Sequence, residues 1–448
     1  MAHTKRLSQS ITGSWSEMMA PPSPAAFSDD DSDKWVQHWR SVLAKGISSS
    51  LFLDLIDSRI VAVDADISVE DACDRLLSED ILCLAIRAQT LAENSPYLGL
   101  FDFSDVNAFL AFAATRHTLS PDDLRGNPRL DNIVTAAIAG RVPVHLVSNL
   151  SDKNPLSTLP HDATVISLLE VFARGSHRVL IQAPSPSTEF LGMVSDRGLL
   201  DWFSLYVSES PSFRAYLSNP LNSHALPSVN IYDSIISSLS TATVLDAMKL
   251  MSEEGVSSIA VLDDETHYLL SAVSVTDIGK IVVPAQSNQI LATSLHAFIS
   301  HIKEADGSED GADKFPAYSV SPSSTLLYTV QKLLTTNAHR VFVTRESLGS
   351  ASPLLSPSFP GNLSGIVSIV DTLSVFARIA KIPNIDPMRM QRHRRASSSS
   401  SQGSRSDRSD ILLSRSNSRT SVRRSLSFRK TPGHSLSSSL SGSAVIDK

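Results

Sequence analysis

Residues 255–277 read GVSSIAVLDDETHYLLSAVSVTD, and this stretch decides the fold. A short apolar strand, VSSIAVLDD, leads through a loop into a second, YLLSAVSV, which runs into an apolar helix, TDIGKIVV. Just upstream, STATVLDAMKLMSEEG spaces its apolar residues as a helix does, behind Ser/Thr residues suited to capping it. An extended piece, SIISSLS, comes first. The unit is therefore an extended lead, then helix, strand, strand and helix.

The same order occurs four times. In the first copy RIVAVD leads, and Ser68 opens VEDACDRLLSED, whose Val69, Ala72, Cys73, Leu76 and Leu77 share one face; ILCLAIRA, YLGLFDF and SDVNAFLAFAATR follow. The second runs NPLSTLP, HDATVISLLEVFARGS, HRVLIQA, FLGMVSD, RGLLDWFSLYV. The fourth runs AYSVSP, SPSSTLLYTVQKLLTTN, AHRVFVTRE, NLSGIVSIV, DTLSVFARIA. A unit of roughly 60 residues that leaves one sheet face and one helix face open must pair, so an even number is predicted.

GVSSIAVLDD with SAVSVTD, and AHRVFV (338–343) with GIVSIVDTL (365–373), resemble the CBS motif, named after cystathionine β-synthase, which packs in pairs as a Bateman module. The resemblance implies an α/β fold (α+β CBS motifs): four tandem CBS repeats, at 35–115, 130–208, 222–285 and 290–385, as two Bateman modules forming a pseudo-symmetric disk. A helix carrying Trp35, Val36, Trp39 and Val42 on one face is expected to open this body. FISHIKEADGSEDGADKFP (298–316) and TRESLGSASPLLSPSFPGN (344–362) read as loops.

In CBS pairs, a strand ending Ser/Thr-x-x-Asp opens on a cleft for adenine nucleotides. By that resemblance Asp277 and Asp371 would accept hydrogen bonds from ribose hydroxyls, while Ser274, Ser368 and the helix N-termini would offer donors near phosphate. The first repeat keeps Asp105 but has Asp102 in place of the Ser; the second keeps Ser195 but has Gly198 in place of the Asp. The competing reading is that each pair caps its helix and does nothing more. His177-Arg178 and His339-Arg340 fall where the first helix turns into the strand in repeats two and four. Such cations suit a polyphosphate, or cap the helix C-terminus. The even-repeat placement and the three retained Asp positions resemble the gamma subunit of AMP-activated protein kinase, which implies AMP, ADP or ATP as regulatory ligand rather than catalytic cofactor.

Of 448 residues, 39 are Lys or Arg and 46 Asp or Glu, a net charge of −7 that hides an asymmetry. Residues 389–430 carry a charge of +10 and almost no apolar period, so the remainder is −17. The Ser/Pro/Asp-rich head (1–33) and the Arg/Ser-rich tail (388–448) are expected to be disordered. KRLS, RRAS, SRTS and RRSLS suit a basophilic kinase, making Ser8, Ser397, Ser421, Ser425 and Ser427 phosphorylation candidates. SWSEMMAPPSP (14–24) suits a short helix that folds onto a partner. Nucleic acid is disfavoured because the basic tail has only Phe428 to stack on a base.

Cys73 and Cys83 are too few for a disulfide framework or a zinc site and read as buried thiols. No apolar run approaches a membrane span, and no signal peptide is evident, so an intracellular protein is expected. No P-loop, GxSxG or HExxH motif occurs, and no His pairs with a Cys or carboxylate at a metal-binding spacing in sequence; no enzyme and no metal site are expected. Along its whole length, from the SWSEM segment through AHRVFVTR and GIVSIVDTLSVFARIA to DPMRMQRHRRASSSS, the chain resembles the fungal SDS twenty-three (Moc) family. That resemblance implies a noncatalytic regulator that inhibits a type 2A-like protein phosphatase in cell-cycle progression, nutrient response, DNA replication and cell separation, resident in cytoplasm and nucleus. The alternatives are a gamma-type subunit of a nutrient-sensing kinase complex, and a scaffold whose clefts stay empty.

Overall fold

The computed structural model describes residues 29–44, 55–92, 95–116, 127–187, 189–230, 235–283, 288–304, 318–345 and 362–385, without the side chains of 89–92, 288 and 302–304. The SWSEM segment, all five phosphorylation candidates and most of the 344–362 stretch lie outside them.

Helix α1 spans Asp29–Ser41. Repeat one follows as β1 (Ala62–Asp64), α2 (Val69–Ser78), β2 (Cys83–Ala92), β3 (Ser95–Asp102) and α3 (Phe103–Thr115). Two helices, α4 (Pro128–Ile138) and the single turn α5 (Val144–Val147), lead to repeat two: β4 (Thr158–Leu159), α6 (Val165–Ala173), β5 (Arg178–Gln182), β6 (Phe190–Ser195) and α7 (Asp196–Glu209). Helix α8 (Pro211–Leu217) precedes repeat three: β7 (Ser237–Leu239), α9 (Val244–Glu253), β8 (Ser258–Leu262), β9 (Leu269–Ser274) and α10 (Val275–Val282). Helix α11 (Leu295–Glu304) precedes repeat four: β10 (Ser319–Val320), α12 (Leu326–Thr335), β11 (Arg340–Thr344), β12 (Leu363–Ser368) and α13 (Ile369–Ile379).

Each repeat makes one three-stranded sheet, the lead strand parallel to the middle strand and the last antiparallel to it. Each of the eight repeat helices starts on a side-chain cap: Ser68, Asp102, Thr164, Ser195, Thr243, Ser274, Thr325 and Ser368 accept a bond from a first-turn N–H. These caps satisfy donors that a helix start otherwise leaves unpaired.

The middle strands are apolar on both faces, and the two faces go to different neighbours. Val179 and Ile181 join the helical core of repeats two and four, while Leu180 between them packs on the sheet of repeat one. Ile259 and Val261 join the helical core of repeats one and three, while Ala260 and Leu262 pack on the sheet of repeat four. Sheets thus pair within a module (one with two, three with four), and helices pair between modules, α3 on α9 and α10, and α13 on α6 and α7. Both thiols are buried as expected, and burial pushes each up to about 12.

The connecting segments do not stay with their sequence neighbours. The strand-like piece at 142–144 bonds to both sides of the Ser68 cap, through Val69 N to Val142 O and Val144 N to Ile67 O. Residues 42–44 do the same for repeat two, 293–295 for repeat three and 219–221 for repeat four. The last turn of the stretch ahead of repeat two therefore completes repeat one, and α1 completes repeat two.

Two expectations are corrected. The predicted disordered head includes Asp29–Asp33, which are helical: three Asp fall in the first turn of α1, where they favour the helix dipole, and Trp35 and Trp39 anchor the next turns. The predicted loop at 298–316 begins inside α11, because Leu295, Phe298 and Ile299 bury one face against repeat three.

Trp39 is fully buried, 5.0 Å from Phe203 and 5.8 Å from Phe213 between ring centres. Trp39→Ala should lower the unfolding free energy by about 3–5 kcal/mol in urea titration. A change below about 1 kcal/mol would show that α1 is not part of the cooperative core.

Candidate functional site

The strand-to-helix junctions of all four repeats converge on one cavity of about 570 Å³. Ser274, Asp277, Ser368 and Asp371 line it, as do both dipeptides, His177-Arg178 and His339-Arg340. Residues separated by nearly 200 positions thus share one space. From repeat one Asp102 reaches the cavity but Asp105 does not.

Asp105 stands apart because its carboxylate is already used. It is almost fully buried and accepts bonds from the backbone of Asp102, Asn149 and Ser151 and from the Ser151 hydroxyl at 2.8 Å. Burial, then the neighbouring Asp102, pushes it up to about 8. It ties the 149–151 turn to α3 and offers no open face to a ribose.

The two complete Ser-x-x-Asp pairs form the same capping box. Asp277 Oδ2 accepts from Ser274 N at 2.8 Å and Ser274 Oγ at 2.7 Å; Asp371 Oδ2 accepts from Ser368 N and Oγ at the same distances. Their surroundings differ. Asp277 is half-buried, and among the described residues its second oxygen has no partner. Asp371 is only 2% exposed, with Ser228 beside its carboxylate. Burial pushes Asp371 up, against bonds from Ser368 and the charge of Arg340.

Ser228 belongs to a strap, residues 227–230, laid so closely across β12 that a Cβ on Gly365 would strike the carbonyls of Ser228 and Val229. Module one has the matching strap at 56–58, which bonds to Met193 and crosses Gly192. Here the chemistry is exchanged. Where repeat two lacks its carboxylate at Gly198, Asp57 of the strap fills that volume and accepts from both Ser195 N and Ser195 Oγ. Repeat four has the carboxylate on the helix and a Ser on the strap; repeat two has the reverse. The Asp missing from the repeat-two motif is supplied by another segment.

The arginines cross between repeats. Arg178 Nη1 lies 3.8 Å from Asp102 Oδ2 of repeat one. Burial works against its charge, but the groups around it, Cys83 and Asp102 first, outweigh burial and raise it. Arg340 donates to Ser257 Oγ at 2.8 Å and Ser258 O at 3.4 Å in repeat three, while its buried Nε has no acceptor among the described residues. Burial brings it down to about 10, so it stays charged at neutral pH.

No His stands at a metal-binding spacing from a carboxylate in sequence, but the fold brings one His against a carboxylate in space. His177 Nδ1 lies 2.7 Å from Asp196 Oδ2, and His339 stands edge-on to His177 with ring centres 5.7 Å apart. Burial, with some help from His177 and the nearby arginines, takes His339 down to about 3. Burial opposes the charge on Asp196, yet the electrostatic pull and hydrogen bond of His177, with Arg178 nearby, outweigh it and hold the carboxyl low. Asp196 and Asp57 escaped sequence reading. Asp196 follows Ser195 directly and could have been flagged as the first residue of a helix. Asp57 had no local signal beyond the two glycines that make room for its strap.

This geometry defines a CBS-domain regulatory protein, with four repeats around one shared cavity. The profile described as CBS domain matches residues 233–283, the third repeat. A Yarrowia lipolytica protein named SDS23 is 30% identical over 80% of this chain and 70% of its own length. A Neosartorya fischeri protein named sds23 is 32% identical over 66% of this chain, which spans 53% of that relative. The chain belongs to the SDS23 family. A Methanocaldococcus jannaschii structure described as a candidate archaeal homologue of g-AMPK aligns over 71% of this chain and 97% of its own, with 14% identity and a TM-score of 0.49.

The exchange in repeat two is testable by a double-mutant cycle. Asp57→Ser should cost about 1–2 kcal/mol of stability by removing the cap's acceptor. Gly198→Asp alone should also destabilise, since its side chain meets Asp57. Together they rebuild the arrangement of repeat four and should recover most of the loss in thermal melts; additive losses would refute the equivalence.

Proposed function

We propose that the cavity binds an adenine nucleotide, AMP, ADP or ATP, and that the protein is a noncatalytic regulator of a type 2A-like protein phosphatase. The observation that carries the nucleotide reading is the unpaired pair of groups at the junction of repeats three and four. Among the described residues Arg340 Nε is a buried donor lacking an acceptor, and the second oxygen of half-buried Asp277 is engaged by no protein donor. Both line the cavity, and a ribose beside Asp277 with phosphate toward Arg340 supplies both partners. Arg178, His177 and His339 add to the polar wall of the same cavity. A volume of about 570 Å³ falls in the range of small-molecule sites, roughly 300–1,000 Å³.

Asp371 is the weaker candidate, because Ser228 and the strap cover it. Asp105 has no part in this reading. The phosphatase target, the roles in cell cycle and nutrient response, and residence in cytoplasm and nucleus follow from the family resemblance; the basic tail with its kinase-type serines supports control by phosphorylation. No helix among the described residues is long and apolar enough to cross a membrane.

Calorimetric titration of ATP and AMP into the full chain should show binding that weakens about 10–100-fold in Asp277→Ala, the worth of a charge-assisted hydrogen bond. Asp371→Ala should weaken it less. Unchanged affinity in Asp277→Ala would sink the site. Tagged purification from the native cell should recover phosphatase subunits, whereas kinase catalytic and bridging subunits would make this a gamma-type subunit.

A further inference from the structure

His177, Asp196 and His339 come from three separate elements and meet at the wall of the cavity. His177 ends the turn before β5, Asp196 is the first residue of α7, and His339 precedes β11. A ligand-type atom from each lies within 4.8 Å of the other two, and the His177–Asp196 contact is 2.7 Å. Zinc-type bonds of about 2.0–2.2 Å in a tetrahedral set put donor atoms roughly 3.3 Å apart. The 2.7 Å contact is shorter than that value and the third atom lies within 4.8 Å of the pair, so the side chains would adjust to close the set on an ion.

A His–Asp hydrogen bond explains two of the three residues and leaves the third. Nδ1 of His339 is buried and has no hydrogen-bond partner among the described residues. Asp196, at 1% exposure, has lost almost all contact with solvent. A buried carboxylate, a paired imidazole and an orphaned imidazole nitrogen at one point are the donor set that borderline-soft cations prefer. Magnesium and calcium, which take oxygen ligands, fit it poorly.

We propose that His177, Asp196 and His339 form a binding site for a divalent first-row transition metal, zinc by its chemistry, with the remaining coordination position facing the cavity. The cations around the site shape that fourth position. Arg178 is engaged by Asp102, Arg197 by the carbonyls of Leu333 and Leu334, and Arg340 by Ser257 and Ser258. Their charge favours an anion as the fourth ligand. The site shares His177 and His339 with the wall of the nucleotide cavity but does not use Asp277, so the Asp277→Ala variant separates the two readings.

The test is titration of Co²⁺ alone, then Zn²⁺ in competition, into the metal-stripped full chain. One ion per chain should bind with a tetrahedral cobalt absorption band that zinc abolishes. Affinity should fall at least tenfold in both His339→Gln and Asp196→Asn and be retained in Asp277→Ala. No cobalt band, or wild-type affinity in either variant, overturns the site. If the variants melt early, X-ray absorption of the zinc-loaded wild-type chain decides: two imidazole scatterers support the site, and an all-oxygen or sulfur shell refutes it.

Discussion

The constraint on which the rest depends is that every middle strand is apolar on both faces. Leu180 and Ala260 cannot be covered by the helices that cover Val179, Ile181, Ile259 and Val261, because successive side chains point to opposite sides of a strand. One repeat therefore needs two partners: a sister sheet and a sister pair of helices. Four repeats supply both. Their capped junctions, being at the same end of each strand pair, then meet around a common space. The cavity is a geometric product of the burial pattern rather than a separate invention.

Within that arrangement the chemistry of one small motif is used repeatedly and with substitutions. The Ser-x-x-Asp box caps a helix in repeats three and four, Asp102 and Asp105 do the same in repeat one, and repeat two borrows its carboxylate from Asp57. Capping and ligand recognition are compatible here, because the box consumes only one oxygen of each Asp. What separates a structural copy from an open one is its cover: Ser151 over Asp105, Ser228 over Asp371, and solvent beside Asp277.

The sequence carried the repeats, their element order and eight cavity-lining residues because each of these is a local pattern: a hydrophobic period, a cap residue, a dipeptide at a fixed place in the unit. It did not carry α11, because the acidic run after Glu304 masked the short apolar face of Leu295, Phe298 and Ile299. Nor did it carry the strap at 56–58 or the exchange of Gly198 for Asp57, since that compensation joins positions 141 residues apart with no periodicity. The His177–Asp196–His339 cluster was hidden for the same reason. Its members sit at ordinary-looking ends of strands and helices, and only the pairing of repeats two and four brings them together.

The docking of α1 on repeat two has a consequence for synthesis. Trp39 finds Phe203 and Phe213 only after about 160 further residues have emerged, roughly 8–30 seconds at ribosomal rates of about 5–20 residues per second. Phe376, 6.3 Å from Trp39, arrives later still. Through that interval a two-tryptophan helix face stands uncovered on the nascent chain. The first described segment of the body to be made is thus among the last to be secured.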